Sequence, residues 1–228
     1  MVDLPILEIS KSDNNQSHLE YLQKNLSEND WLVFTSRNGV NSFTKELLSI
    51  YFKKPPRIAA IGAKTVESLE ATGVGVEYFP QEANSKSFVK DFSSKYKAGN
   101  TGKLYLLRGD TAGKILPEGL SEAGFSLEEL VVYHSKSADF DATTAQYFLK
   151  ASKKKTPILI FSSSLTAEFF KQRLEENKLT ADFKNIPVAV IGPETKSAVE
   201  ALGFKVLAQA QKATMESLVE GITTSLAH

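Results

Sequence analysis

The chain has no cysteine in its 228 residues, which excludes disulfides, thiolate nucleophiles and Cys-ligated metals. It has no excess of either charge, with 27 Lys and Arg against 27 Asp and Glu. A nucleic-acid surface would show as clustered basic residues, so no nucleic-acid partner is expected. No apolar run approaches the ~18 residues of a membrane span, so no membrane partner is expected. The opening MVDLPILEIS lacks the basic start and long apolar stretch of a signal peptide. Together with the missing cysteine, this makes the cytoplasm the expected location. Histidine is scarce. His18, His134 and His228 form neither HExxH nor a pair at ligand spacing, so no metal is expected. There is no G-x-S-x-G elbow, and neither G-x-G-x-x-G nor a Walker A sequence appears. An enzyme built from this chain would work by binding and orientation, with little acid–base machinery and no cofactor.

What the chain does contain, it contains twice. WLVFTSRNGVNSFTKELL (31–48) returns as ILIFSSSLTAEFFKQRLE (158–175), and IAAIGAKTVESLEATGVGVEYF (58–79) returns as VAVIGPETKSAVEALGFKVLAQ (188–209). Phe34 and Phe161 stand 127 positions apart, while Gly62 and Gly192 stand 130 apart. Solenoid repeats run at roughly 20–50 residues, so this period means two domains of one architecture.

Each copy alternates a short apolar run with a 3.6-residue pattern. WLVF (31–34), RIAAIG (57–62) and VEYF (76–79) read as strands. Helices follow, the second stopped by Gly73 and the third spanning 85–96. KLYLL (103–107) and LEELVVYHS (127–135) read as further strands flanking a helix over 112–124, with Pro117 at odds with its first turn. The second copy gives strands at 158–161, 188–192 and 204–207. This alternation implies two similar α/β, flavodoxin-like domains with parallel sheets. Their expected bounds are 10–130 and 137–228, joined by two connecting strands at 4–9 and 131–136. The acid pairs Glu128-Glu129 and Glu175-Glu176 read as solvated faces.

Ligands of open parallel sheets bind beyond the carboxyl ends of strands. Here those ends carry hydroxyls and glycines: Thr35, Ser36, Asn38 and Gly39; Gly62 and Thr65; Arg108 and Gly109; Ser162, Ser163 and Ser164; Gly192 and Thr195. Each precedes a helix whose N-terminal N–H groups favour an anion. Taken singly, each junction is explained by helix capping. The same composition in both copies points to one ligand with several anionic groups. Arg108-Gly109-Asp110 is read as a strand-to-helix turn and not as an adhesion tripeptide. Tyr133 lies in the second connector, where a phenol could reach a ligand or simply pack the strand. His134 would point the opposite way along an extended segment.

In order along the chain, these motifs resemble the uroporphyrinogen-III synthase family, and the resemblance covers nearly all of it. F-T-S-x-N-G-V is matched by Phe34 to Val40, and A-x-[IV]-G-x-x-T by Ala59 to Thr65 and by Ala189 to Thr195. L-L-R-G-D…LP…L…G is matched by Leu106 to Asp110, Leu116-Pro117, Leu120 and Gly124, and V-V-Y by Val131 to Tyr133. The resemblance implies a bilobal enzyme with its site in the cleft between two α/β domains. It implies a cyclising lyase of tetrapyrrole biosynthesis that needs no cofactor. Its substrate would be hydroxymethylbilane, closed to uroporphyrinogen III with loss of water and inversion of ring D. Tyr133 would assist departure of the hydroxyl, Thr65 and Thr195 would lie at the cleft, and Thr35, Ser36, Ser162 and Ser163 would line the facing junctions. Functional coupling to hydroxymethylbilane synthase and a monomeric state are also expected. The family usually begins with a strand and helix before the segment matched by Pro5 to Ile9. The second domain is therefore expected to lack one strand–helix unit, leaving apolar surface uncovered. Two other readings stay open: a non-catalytic or truncated synthase relative, and a bilobal anion- or sugar-binding module.

Overall fold

Five strands build the larger sheet: β1 (Leu7–Lys11), β2 (Trp31–Phe34), β3 (Arg57–Ala60), β4 (Leu104–Gly109) and β5 (Leu127–Ser137), in the order β1-β5-β4-β2-β3. The computed structural model describes residues 6–51, 53, 55–138, 143, 157–183 and 185–227. Strands β2 to β5 run parallel. At the edge, the Ser12 N–H donates to the Val132 carbonyl and the Ala138 N–H to the Ile6 carbonyl. One strand's numbers rise as the other's fall, so β1 lies antiparallel to β5.

The interior strand β2 is buried at all four residues because helices cover both faces. Leu32, Phe34, Tyr105 and Leu107 meet Val40, Phe43 and Leu47 of α2 (Arg37–Tyr51) on one face. The same layer holds α1 (Asn15–Asn25) and α3 (Ala63–Glu70). Trp31, Val33, Leu104 and Leu106 point the other way, onto Phe88 and Phe92 of α4 (Ser85–Lys95) and Leu116 and Leu120 of α5 (Ile115–Glu122). This alternation is the period of two that a pleated strand imposes.

Two local expectations change. VEYF is not a strand among the described residues but one bridge, Tyr78 to Ala59. Pro80 follows closely and has no N–H with which to extend a ladder. The helix expected from residue 112 begins at Ile115, which puts Pro117 in the first turn, where a missing N–H leaves no bond unmade.

The smaller sheet has the parallel order β6-β7-β8, from β6 (Leu159–Phe161), β7 (Val188–Val190) and β8 (Val206–Gln209). Helices α6 (Ser164–Glu176) and α8 (Pro193–Ala201) pack together, with the short α7 (Thr180–Phe183) after α6. One face buries Phe161, Phe170, Val188, Val190 and Val199, and the other sets Ala189 and Ala208 against Leu218 of α9 (Met215–Leu226). Gly73 and Gly203 follow α3 and α8 at φ of +85° and +87°, the left-handed stop that glycine adopts without a Cβ clash.

The chain divides into the units Ile9–Ser135 and Met1–Glu8 with Lys136–His228. It passes between them twice, within β1 and within β5. Among the described residues no helix is long and apolar enough to cross a membrane.

Candidate functional site

The chain runs outward from β2 to β3, then returns to place β4 on the other side of β2. Such a reversal opens a crevice beyond the carboxyl ends of the two strands on either side of it. Here those ends are Phe34-Thr35-Ser36 and Gly109-Asp110.

Helix α2 starts at the first of them. The Ser36 Oγ accepts the Gly39 N–H at 3.1 Å, the usual bond of an N-cap. A Cβ at Gly39 would stand 3.3 Å from the Leu107 carbonyl oxygen, so the glycine lets this helix start lie close against β4. The Thr35 N–H reaches the same carbonyl at 3.4 Å. Asn38 sits half-buried in the first turn of α2.

Tyr133 fills the crevice floor. Its phenol oxygen is 3.1 Å from Ser36 Oγ, and either atom can donate. Its ring lies over Gly109, where a Cβ would come within 2.6 Å of it. Gly109 is thus the seat of the ring, and any larger residue would displace it. A bulge aims the side chain. Arg108 pairs with Val131 but Gly109 pairs with Tyr133, so Val132 is one residue too many. Val132 and Tyr133 consequently join the same apolar cluster, where a regular strand would send them to opposite faces.

Arg108 is placed differently from its crevice neighbours. Its side chain is buried, donating to the Glu129 carboxylate and the Gly113 carbonyl. It braces the loop after β4. Glu129 is therefore engaged, and so is Glu128, which accepts from Lys103 and from the Tyr21 hydroxyl at 2.8 Å. Both acids lie on a solvated face as expected, Glu129 exposed and Glu128 half-buried, and both are engaged there in ion pairs.

Asp110 follows Gly109 and faces the residues after Tyr133. Its carboxylate accepts the Ser135 N–H at 3.0 Å and lies 2.9 Å from His134 Nδ1. Burial acts to raise its pKa, but the Ser135 N–H and the His134 ring outweigh this and hold the carboxyl below its usual range.

The same chain matches the family described as uroporphyrinogen-III synthase HemD over residues 1–220. It belongs to the uroporphyrinogen-III synthase family.

Named relatives agree. The uroporphyrinogen-III synthase of Chlorobaculum parvum is 29% identical over 180 residues, covering 77% of this chain and 71% of that one. That of Synechococcus elongatus is 26% identical over 229 residues, covering 97% and 84%. Among solved structures, the Helicobacter pylori uroporphyrinogen-III synthetase has a TM-score of 0.66 at 20% identity, covering 97% of this chain and 91% of that one. A mutant uroporphyrinogen III synthase of Thermus thermophilus has a TM-score of 0.64 at 17% identity, covering 98% and 88%. These structures show the shared α/β fold.

The remaining residues of the synthase pattern fall into two groups. Gly62 lies two residues beyond β3, just after Ile61, whose N–H donates to the Phe34 carbonyl at 3.1 Å, and it precedes α3. Thr65 lies in the first turn of α3 with only 5% of its surface exposed. In the other unit, Ser163 caps α6 by accepting the Thr166 N–H at 3.2 Å. Ser162 is exposed, and Ser164 Oγ reaches the Glu194 carbonyl at 3.4 Å, tying that junction to the start of α8. Gly192 precedes α8 with open space around its missing Cβ, and Thr195 is buried like Thr65. Contacts therefore bring Ser36, Gly39, Gly109 and Tyr133 together in one unit, and Ser164 with the Gly192 junction in the other. The sequence motifs assign Asp110 no role in the site. Its sequence signal is its place as the last residue of the L-L-R-G-D match, directly after the glycine that ends β4.

Proposed function

We propose that this chain is a uroporphyrinogen-III synthase, a cyclising lyase acting on hydroxymethylbilane. Tyr133 hydrogen-bonds to the departing hydroxyl of the substrate, and loss of water leaves an azafulvene. Ring D then bonds through its substituted carbon, giving a spirocyclic pyrrolenine, and rearranged closure yields the III isomer with ring D inverted. Ser36 orients the phenol from its other side. The substrate's carboxylates lie at the helix starts marked by Thr35, Asn38, Gly39, Gly62 and Thr65 and, in the other unit, by Ser162, Ser163, Ser164, Gly192 and Thr195. Helix N-termini suit anions without any net positive charge. Gly109 seats the tyrosine, and Arg108 holds the loop that carries the crevice wall. The protein works in this reading as a cytoplasmic monomer, taking its substrate from hydroxymethylbilane synthase.

The observation that carries the reading is the Tyr133 phenol set against Ser36 at the switch point of the larger sheet, in a chain of this family. The test generates hydroxymethylbilane in place from porphobilinogen and hydroxymethylbilane synthase, then separates the oxidised I and III isomers by chromatography. The expected result is excess isomer III over the spontaneous isomer I. Tyr133→Phe should lower kcat by about 10²-fold, the scale of a positioned proton donor. Isomer I alone from a folded protein would sink the proposal.

A further inference from the structure

Tyr133 is held by more than its ring. On one edge of β5 the Val132 carbonyl accepts two donors, the Ser12 N–H and Asn15 Nδ2, each at 3.1 Å. On the other edge Asp110 bonds to three successive residues. Its N–H donates to the Tyr133 carbonyl at 3.2 Å, one carboxylate oxygen faces His134 Nδ1 at 2.9 Å, and the other accepts the Ser135 N–H at 3.0 Å. These bonds begin where the bulge ends.

A bulge of one residue in a parallel pair has an obvious competitor. If Gly109 paired with Val132, the ladder from Leu104 onward would continue in register. That slip would turn Tyr133 to the opposite face, because a shift of one residue exchanges the faces of a strand. The ring would leave Gly109 and Ser36. Something must favour the bulged register, and in that register the Tyr133 carbonyl, the His134 ring and the Ser135 N–H all find their partner in Asp110.

We propose that Asp110 is a positioning residue that pins the bulge in β5 and so fixes the Tyr133 phenol over Gly109 and against Ser36. The inference rests on the reading of Tyr133 given above, and it adds a residue that never touches the substrate. Asp110 is anionic under ordinary conditions, since its carboxyl is held below the usual range, and a charged acceptor grips an N–H more strongly than a neutral one.

The experiment combines turnover with a probe of the ring itself, 3-fluorotyrosine placed at position 133 of the full chain and read by ¹⁹F NMR. Asp110→Ala should move or broaden the resonance, and in the unlabelled protein it should lower kcat at least about tenfold with KM within about threefold. Asp110→Asn keeps a carbonyl for the Ser135 N–H, so it should leave the resonance near its wild-type position and recover most of the turnover. Tyr133→Phe/Asp110→Ala should be no slower than Tyr133→Phe alone, because a residue acting through the phenol has nothing left to position. If Asp110→Ala does not fold, Asp110→Glu serves: its carboxylate is displaced by one carbon and should move the resonance. An unmoved resonance in Asp110→Ala or Asp110→Glu, or an additive loss in the double variant, would overturn the proposal. A fully active Tyr133→Phe would instead overturn the catalytic reading, and the ¹⁹F signal would still decide whether Asp110 sets the ring's place.

Discussion

The two units are copies in their skeleton and differ in what the chain does between strands. In each, the first strand hands its last carbonyl to the next: Ile61 N–H to Phe34 and Ile191 N–H to Phe161. In each, a serine caps the first helix, Ser36 or Ser163, and a buried threonine follows the next junction, Thr65 or Thr195. The larger sheet then reverses, placing β4 beside β2, whereas the described strands of the smaller sheet run β6-β7-β8 without reversal. The seated tyrosine stands at the reversal. The serine caps are therefore architecture, repeated after the corresponding strand of each unit, and they do not by themselves mark chemistry. The reversal supplies a crevice in which a side chain from one strand can lie over the end of its neighbour.

The units also differ on their second faces. The larger has an aromatic layer in which Phe92 lies 5.1 Å from both Trp31 and Tyr78, ring to ring, while the smaller packs alanines against Leu218. The largest effect should follow from attacking this layer. Phe92→Ala is expected to destabilise its unit by about 3–5 kcal/mol in denaturant unfolding, and Leu218→Ala its own by about 2–3 kcal/mol. Equal losses would erase the contrast. Gly109→Ala comes next. Forcing a methyl into the Tyr133 ring should cost about 1–3 kcal/mol and abolish most isomer III formation. Full activity there would mean that the ring's seat is irrelevant. The smallest effect sharpens the comparison of caps. Ser36→Ala and Ser163→Ala should each cost about 1 kcal/mol of stability. Kinetics should then separate them, Ser36→Ala lowering kcat through the lost phenol partner and Ser163→Ala raising KM.

Much of this was readable from residues alone. The doubled motif, the all-apolar β2, the cap serines and the stopping glycines at 73 and 203 depend on local chemistry, which spacing records. Tyr133 and the glycines around it were legible as candidates for the same reason. The geometry that makes them a site was not. Alternation along LEELVVYHS sets Tyr133 against Val132, yet the bulge brings both to one face. That register is decided by Asp110, 25 positions from the Ser135 N–H it accepts, and no local pattern encodes such a bond. Arg108 read only as part of a strand-to-helix junction, because its partners Glu129 and Gly113 are contacts of the folded state. VEYF read as a strand from composition, but strand length is settled by which N–H groups the neighbouring backbone can use.

The double passage through β1 and β5 has a consequence for synthesis. Ile9–Ser135 leaves the ribosome as one uninterrupted stretch and contains its own sheet except the first residues of β1 and the last residues of β5. Ile6 is made before that stretch, yet its apolar partners include Leu159, Phe161 and Phe204. At roughly 5–20 residues per second, the run of about 150 residues to the first of them takes roughly 8–30 s. For that time an apolar segment beside β1 is tethered to a unit that can already close, waiting for neighbours that do not yet exist. Ile6 is thus made before the larger unit yet buried after it, and a nascent-chain chaperone would find a target beside β1.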